Sequence, residues 1–332
     1  MSPRLRRRAR GPSAARPLDW LLLAGLVALG GSSFGFIRTA VATIPPAVVA
    51  TGRLWVGAVF LYAVMRIARR RFPPLLVRHA SGARLHLSWA SMFAVSAIGY
   101  TIPFFIFPWA QQFVESGLAG VYMAFMPIWT LGLAYLFAGE GLGAAKLAGF
   151  GLGFSGVVIL MGPDVVGGAA RSSLLAQAGL LLATFCYAVS AILARRTPPI
   201  RPRVFACGTV LGAAVLSTPA LFFTDLHPED WALESVLSVI VLGVGPTGLA
   251  GLFIIMLIKR AGAGFMALAN YLTPIWAVIV GAVLFGERLG PNVLIALAVI
   301  LAGVAVSRRA RQPVAMPQSA RAARVTPDQT KI

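Results

Sequence analysis

Ten apolar runs, each near the length of a bilayer-crossing helix, fill most of this chain. They lie at about 18–37, 45–67, 85–109, 118–138, 144–161, 174–194, 204–223, 235–258, 265–285 and 292–307. A spanning helix needs ~20 mostly apolar residues. In hydrocarbon each backbone donor and acceptor must be satisfied inside the protein, so such runs fold as helices rather than open strands. With 58% hydrophobic and 12% charged residues, the chain departs from a soluble domain (about 45–50% and about 25%) in the direction of a polytopic membrane protein. The first run follows a basic segment, as in a signal peptide. It is too long for that role and no A-x-A site closes it, so it is a retained span.

The basic residues sort by loop. If residues 1–17 face the cytoplasm and the runs alternate, 25 of the 29 Lys and Arg residues fall on the cytoplasmic side, three fall outside (Arg38, Arg171, Arg288), and Arg53 lies within a span. This bias sets orientation in the membrane. It puts both termini in the cytoplasm, with the chain in the cell inner membrane. The acidic loop 224–234 falls outside. The formal net charge of +19 has the distribution of membrane loops, and no basic face with interleaved aromatics points to nucleic acid.

A stretch near the middle recurs near the end. Pro127-Ile128-Trp129 and Glu140 are matched 147 residues later by Pro274-Ile275-Trp276 and Glu287, and Gly117, Leu147 and Gly156 by Gly264, Leu294 and Gly303. Such a repeat decides the fold. Each copy holds five spans, an odd number, so the second must lie upside down relative to the first. The expected fold is an all-α polytopic membrane protein with ten transmembrane helices arranged as two inverted five-helix repeats, 18–162 and 174–307. A connection at 163–173, a basic N-terminus at 1–17 and a basic, unstructured tail at 308–332 complete it. Inverted repeats are a recurrent architecture of secondary transporters, with the substrate held near the midplane between them.

Three segments resemble one family. Gly30-Gly31-Ser32-Ser33-Phe34-Gly35-Phe36-Ile37-Arg38 is similar to its W-G-x-x-F-x-x-x-K segment, with Gly30 in place of Trp and Arg38 in place of Lys. Arg53 follows a Pro pair by eight residues, and a Pro, an apolar run and G-E-x-L occur in both halves. On these residues, over about 18–307, the chain resembles the EamA family of the drug/metabolite transporter superfamily. The resemblance implies two five-helix halves around a central cavity, alternating access, and export of amino acids, drugs or other small metabolites. Other superfamily members carry nucleotide sugars or sugar phosphates, which stands as an alternative. The small cation exporters use a Glu in their first span. Here no acidic residue lies between Leu21 and Ile37, so that mode is disfavoured.

Several residues are candidates for the site, each with a structural reading beside it. A charge within a span costs about 2.5–3.5 kcal/mol on insertion scales, so Arg53 must face the interior. There it anchors an anionic group or ties to backbone carbonyls. Pro127 and Pro274 each remove a backbone donor and are expected to kink their helices, either lining the cavity or only shaping the packing. Trp129 and Trp276 line the cavity or pack. Ser32 and Ser33 offer hydroxyls in a segment equally suited to close helix contact. Tyr100, Tyr122, Asn270 and Tyr271 are the remaining polar candidates for an otherwise apolar pocket. Glu140 and Glu287, at the ends of spans four and nine, are expected to accept N–H bonds from the next helix and complement its dipole.

Other functions find little support. Two cysteines, no CxxC and three scattered histidines point to neither a disulfide framework nor a metal site, and no cofactor is expected. There is no GxxxxGK[ST] motor motif. A membrane-embedded enzyme acting on lipid-linked substrates would need a polar cluster such as Asp225, His227, Glu229 and Asp230. A scaffold or sensor would need an appended domain that the sequence does not contain. The expected partners are a small-molecule substrate and the lipid bilayer.

Overall fold

The computed structural model describes residues 16–79, 82–138, 143–166 and 171–309. Glu140, the basic segment before Arg16 and the tail beyond Arg309 lie outside the described residues. Fourteen helices follow one another: α1 (Pro17–Val41), α2 (Pro46–Ile67), α3 (Leu87–Val95), α4 (Ile102–Ala110), α5 (Ser116–Met123), α6 (Met126–Ala138), α7 (Ala144–Val166), α8 (Arg171–Arg196), α9 (Pro202–Ser217), α10 (Leu233–Leu242), α11 (Ala250–Arg260), α12 (Ala263–Met266), α13 (Ala269–Phe285) and α14 (Pro291–Arg309). Among the described residues, eight helical stretches are long and apolar enough to cross a membrane, and two shorter apolar ones cover 269–285 and 291–307.

Each apolar run is helical, but not each is a single helix. Two runs pass through π-helical turns, Ser96–Thr101 between α3 and α4 and Gly243–Leu249 between α10 and α11. The two turns start 147 residues apart, the spacing of the sequence repeat. The fourth run is broken instead of kinked. α5 ends at Met123 and α6 starts at Met126, with Pro127 in its first turn, where a missing N–H costs nothing. In the ninth run the break comes earlier, at 267–268, and α13 continues through Pro274. Two loops also differ from expectation. The basic segment after α2 contains a two-stranded antiparallel hairpin, β1 (Leu76–His79) with β2 (Gly82–Leu85), paired Leu76 to Leu85. α7 runs to Val166, past the point where the central connection was expected to start.

The helices pair in matched sets. α2 packs on α9 and α7 on α14, while α1 packs on α11 and α13 just as α8 packs on α4 and α6. Small residues set the closest approaches. A Cβ at Gly31 would lie 2.8 Å from the Thr273 carbonyl oxygen of α13, and one at Gly149 would lie 2.5 Å from the Gly303 carbonyl oxygen of α14.

This contact supplies a signed test. Gly149→Ala pushes a methyl into the backbone of α14 and should cost about 1–3 kcal/mol, as overpacking does. A Cβ at Gly151, two residues on, meets nothing within 4 Å, so Gly151→Ala should be neutral or gain up to about 1 kcal/mol from helix propensity. Thermal unfolding of the two purified variants in detergent checks the contrast.

Candidate functional site

A cavity of about 500 Å3 lies between the helices, lined by residues of both sequence repeats. Its lining runs from Gly30, Ser33 and Ile37 on α1 toward Ala194 near the end of α8 and Ile254 on α11. The walls are apolar and aromatic, with Phe34, Phe104 and Phe107 beside Tyr100 and Tyr187. Both π-helical turns reach it, one through Gly99 and Tyr100 and the other through Pro246. Irregular helix of this kind recurs at functional sites because it re-aims side chains and backbone groups.

Arg53 projects from the middle of α2 into this cavity and is 5% exposed. Its position follows from a proline on the facing helix. Pro246 has no N–H to give to the carbonyl four residues earlier, Leu242. In the π-helical turn that carbonyl turns to the fifth residue, Thr247, whose hydroxyl donates to it at 2.8 Å. The same hydroxyl accepts a hydrogen bond from Arg53 Nη2 at 3.3 Å. The guanidinium carbon stands 4.1 Å from the centroid of the Phe104 ring, a cation–π contact that offsets part of the lost hydration. Nε is buried with no partner. Arg53 thus keeps an unused donor and a full positive charge at the cavity.

The other sequence candidates separate. Ser33 and Tyr100 line the same cavity as Arg53. Pro127, Asn270 and Tyr271 meet in a separate cleft of about 200 Å3. Ser32 points outward and accepts a hydrogen bond from Trp276 Nε1 at 2.9 Å, and Trp276 borders an apolar surface groove with Leu272 and Ile275. Tyr122 is fully buried and its hydroxyl donates to Gln177 at 2.7 Å. Trp129 stands edge-on between Phe125 and Phe185, both at 5.2 Å. Pro274 is buried within α13. Sequence reasoning missed Phe104, Tyr187 and Thr247. The signal for Thr247 was readable: Pro246 interrupts an apolar run and falls one repeat spacing after Gly99.

Glu287 caps a helix other than the one expected. Gly286, at φ 63°, ends α13 in the left-handed region that glycine adopts without strain. The turn sends Glu287 sideways instead of toward α14. Its carboxylate accepts from the Ser116 N–H at 2.9 Å, the Ser116 hydroxyl at 2.6 Å and the Gly117 N–H at 2.8 Å, at the start of α5. Arg38, at the end of α1, pairs with the same carboxylate. At the opposite end of α1, Asp19 pairs with Arg260 of α11 at 2.6 Å. An anion at a helix start is stabilised by the unpaired N–H groups and the dipole there.

Glu115, just before this cap, is raised above its ordinary 4.5 by burial, and the Glu287 carboxylate adds to the shift while Arg38 opposes it.

Residues 18–162 and 174–309 match the model of the EamA-like transporter family. The inner membrane transporter YedA of Escherichia coli is 25% identical over 293 residues, covering 87% of this chain and 89% of YedA. The aromatic amino acid exporter YddG of Ancylobacter novellus is 28% identical over 208 residues, covering 61% of this chain and 70% of its own length. A solved crystal structure aligns with TM-score 0.60 at 20% identity, covering 88% of this chain and 97% of that one, which speaks to fold. The chain belongs to the EamA-like transporter family and is a multi-pass membrane transporter.

Two predictions follow from the α1–α5–α13 junction. Glu287→Ala should cost about 2 kcal/mol or more, below the about 3–5 of a fully buried pair because the half-exposed Arg38 can turn to water; thermal unfolding reads it. A carboxyl raised on folding favours the protonated folded state, so its contribution to stability falls as pH climbs from the ordinary value to the raised one. The melting temperature of Glu115→Gln relative to wild type should therefore increase between about pH 4 and about pH 7. An equal difference at both pH values would remove Glu115 as the cause.

Proposed function

We propose that this chain exports a small carboxylate-bearing metabolite, an amino acid or close relative, from the cytoplasm across the inner membrane by alternating access. In this reading two five-helix halves of opposite topology, 18–162 and 174–307, rock about the central cavity. Residues 163–173 connect them, and 1–17 and 308–332 lie in the cytoplasm. Support for the inversion comes from the matched packing of α1 on α11 and α8 on α4, from the self-paired α2–α9 and α7–α14, and from π-helical turns one repeat spacing apart. Support for orientation comes from the distribution of Lys and Arg. Support for export comes from a relative named as an amino acid exporter, and the lining extends toward the ends of α8 and α11, the cytoplasmic ends in this orientation.

The observation that carries the substrate class is Arg53, a cation with an unpaired buried Nε at an aromatic-walled cavity. A carboxylate there would complete the guanidinium's hydrogen bonds, and charge-assisted bonds of this kind are the stronger ones. The walls of Phe34, Phe104 and Phe107 suit an apolar or aromatic side chain. A relative named as an aromatic amino acid exporter agrees with that pairing. Ser33 and Tyr100 would bind beside Arg53. Pro127, Asn270 and Tyr271 would act at the second cleft, Ser32, Tyr122, Trp129, Pro274 and Trp276 would hold the surrounding helices, and Glu287 would stay structural.

A thermal-shift panel of amino acids and the matching decarboxylated amines tests this. Apolar and aromatic amino acids should stabilise the wild type and the amines should not. Arg53→Ala should weaken the response roughly 10–100-fold, the worth of a charged hydrogen bond, and Arg53→Lys should keep part of it. Identical responses from wild type and Arg53→Ala would remove Arg53 as the anchor. Failure of the purified protein to move any responding solute in liposomes would sink the transport direction and substrate together.

A further inference from the structure

Another cleft, of about 370 Å3, opens where the end of α2, the start of α9 and the end of α11 meet. It shares no lining residue with the central cavity. Four cations line it: Arg70, Arg201, Arg203 and Lys259. All four are exposed, and none has a side-chain ion pair or hydrogen bond among the described residues. Their neighbours differ. Arg260, next to Lys259, is taken by Asp19, and Arg66 leans on the Tyr62 hydroxyl at 3.1 Å. The backbone contributes to the cluster. α2 ends with Arg69 in the left-handed region at φ 51°, which costs roughly 1–2 kcal/mol for a side-chain-bearing residue. That turn lets the Arg70 N–H reach back to the Met65 carbonyl at 3.0 Å and brings Arg70 into the cleft.

Like charges held this close repel unless an anion joins them. The rest of the cleft narrows the choice of anion. Its remaining lining is largely apolar, with Val64, Leu252, Ile255 and the exposed Met256 on α11. It lies at the ends of three apolar helices, the level of lipid headgroups. A soluble anion would gain nothing from the apolar wall, whereas a phospholipid would set its phosphate among the guanidinium forks and the root of its acyl chains on that wall. Basic pockets between membrane helices bind anionic headgroups by this combination. We propose that this cleft binds the headgroup of an anionic phospholipid, with Arg70, Arg201, Arg203 and Lys259 around the phosphate.

The test uses the full chain in neutral detergent. Thermal stabilisation is titrated with dihexanoyl phosphatidylglycerol, dihexanoyl phosphatidylcholine and inorganic phosphate. Phosphatidylglycerol should stabilise at lower concentration than phosphatidylcholine, and its effect should weaken with salt. Arg201→Ala with Arg203→Ala should lower the apparent affinity roughly thirty-fold, and Lys259→Glu, on another helix, should lower it as well. Arg66→Ala with Arg195→Ala removes the same charge outside the cleft and should change it less than about threefold. The proposal is overturned if the two lipids act alike. A response to inorganic phosphate equal to that of phosphatidylglycerol would make the cleft a free-anion site. A control variant that loses as much as the cleft variant would reduce the effect to diffuse charge.

Discussion

A backbone carbonyl in hydrocarbon has no water to turn to, and this constraint organises the centre of the molecule. Pro246 leaves the Leu242 carbonyl without its usual N–H. The π-helical turn brings Thr247 to it, and with the Thr247 hydroxyl donating to that carbonyl its oxygen accepts from Arg53. A defect in one helix therefore fixes the orientation of a charge on another. Phe104 covers one face of the guanidinium, so the part left uncommitted is Nε. The arrangement sets irregular helix beside the charge at the cavity, and both π-helical turns contribute to the cavity wall.

The same economy operates at the far end of α1. One carboxylate, Glu287, serves the start of α5 and the end of α1 at once, and it reaches both because Gly286 turns left-handed. Had the chain continued in the right-handed sense, Glu287 would have met α14, the helix that follows it. Arg38 is held by geometry as well as charge, its guanidinium 5.5 Å from the Phe285 ring centroid.

Much of the architecture was legible in the sequence because hydrophobic length and charge bias are properties of the bilayer and need no partner to be read. The helical runs and the charge of Arg53 inside one of them came from those signals, and the family came from three short motifs. What was not legible depends on rotation about helix axes. Ser32 and Ser33 are adjacent, yet one faces Trp276 on the outer surface and the other faces the cavity. Tyr122 and Tyr100 have the same chemistry, yet Tyr122 spends its hydroxyl on Gln177 in the core. In a helix whose apolar residues surround it on all sides, periodicity cannot say which face is inward. The partners of Glu287 were hidden for a related reason. A turn's handedness sets them, and a Gly-Glu pair in sequence fits either direction.

The packing of α1 carries a consequence for how the molecule is assembled. α1 rests on α10, α11 and α13 far more than on α2, and α8 rests on α4 and α6 more than on its successor α9. α1, the earliest-made of the described helices, thus waits for partners made some two hundred residues later. Contacts of such long sequence separation form slowly, since the intervening chain must close its loop first. Until Arg260 and Glu287 have been synthesised, Asp19 and Arg38 lack the ion-pair partners that hold the two ends of α1. Synthesis proceeds from the N-terminal side, but seating does not: α1 is locked only when α10, α11 and α13 are in place.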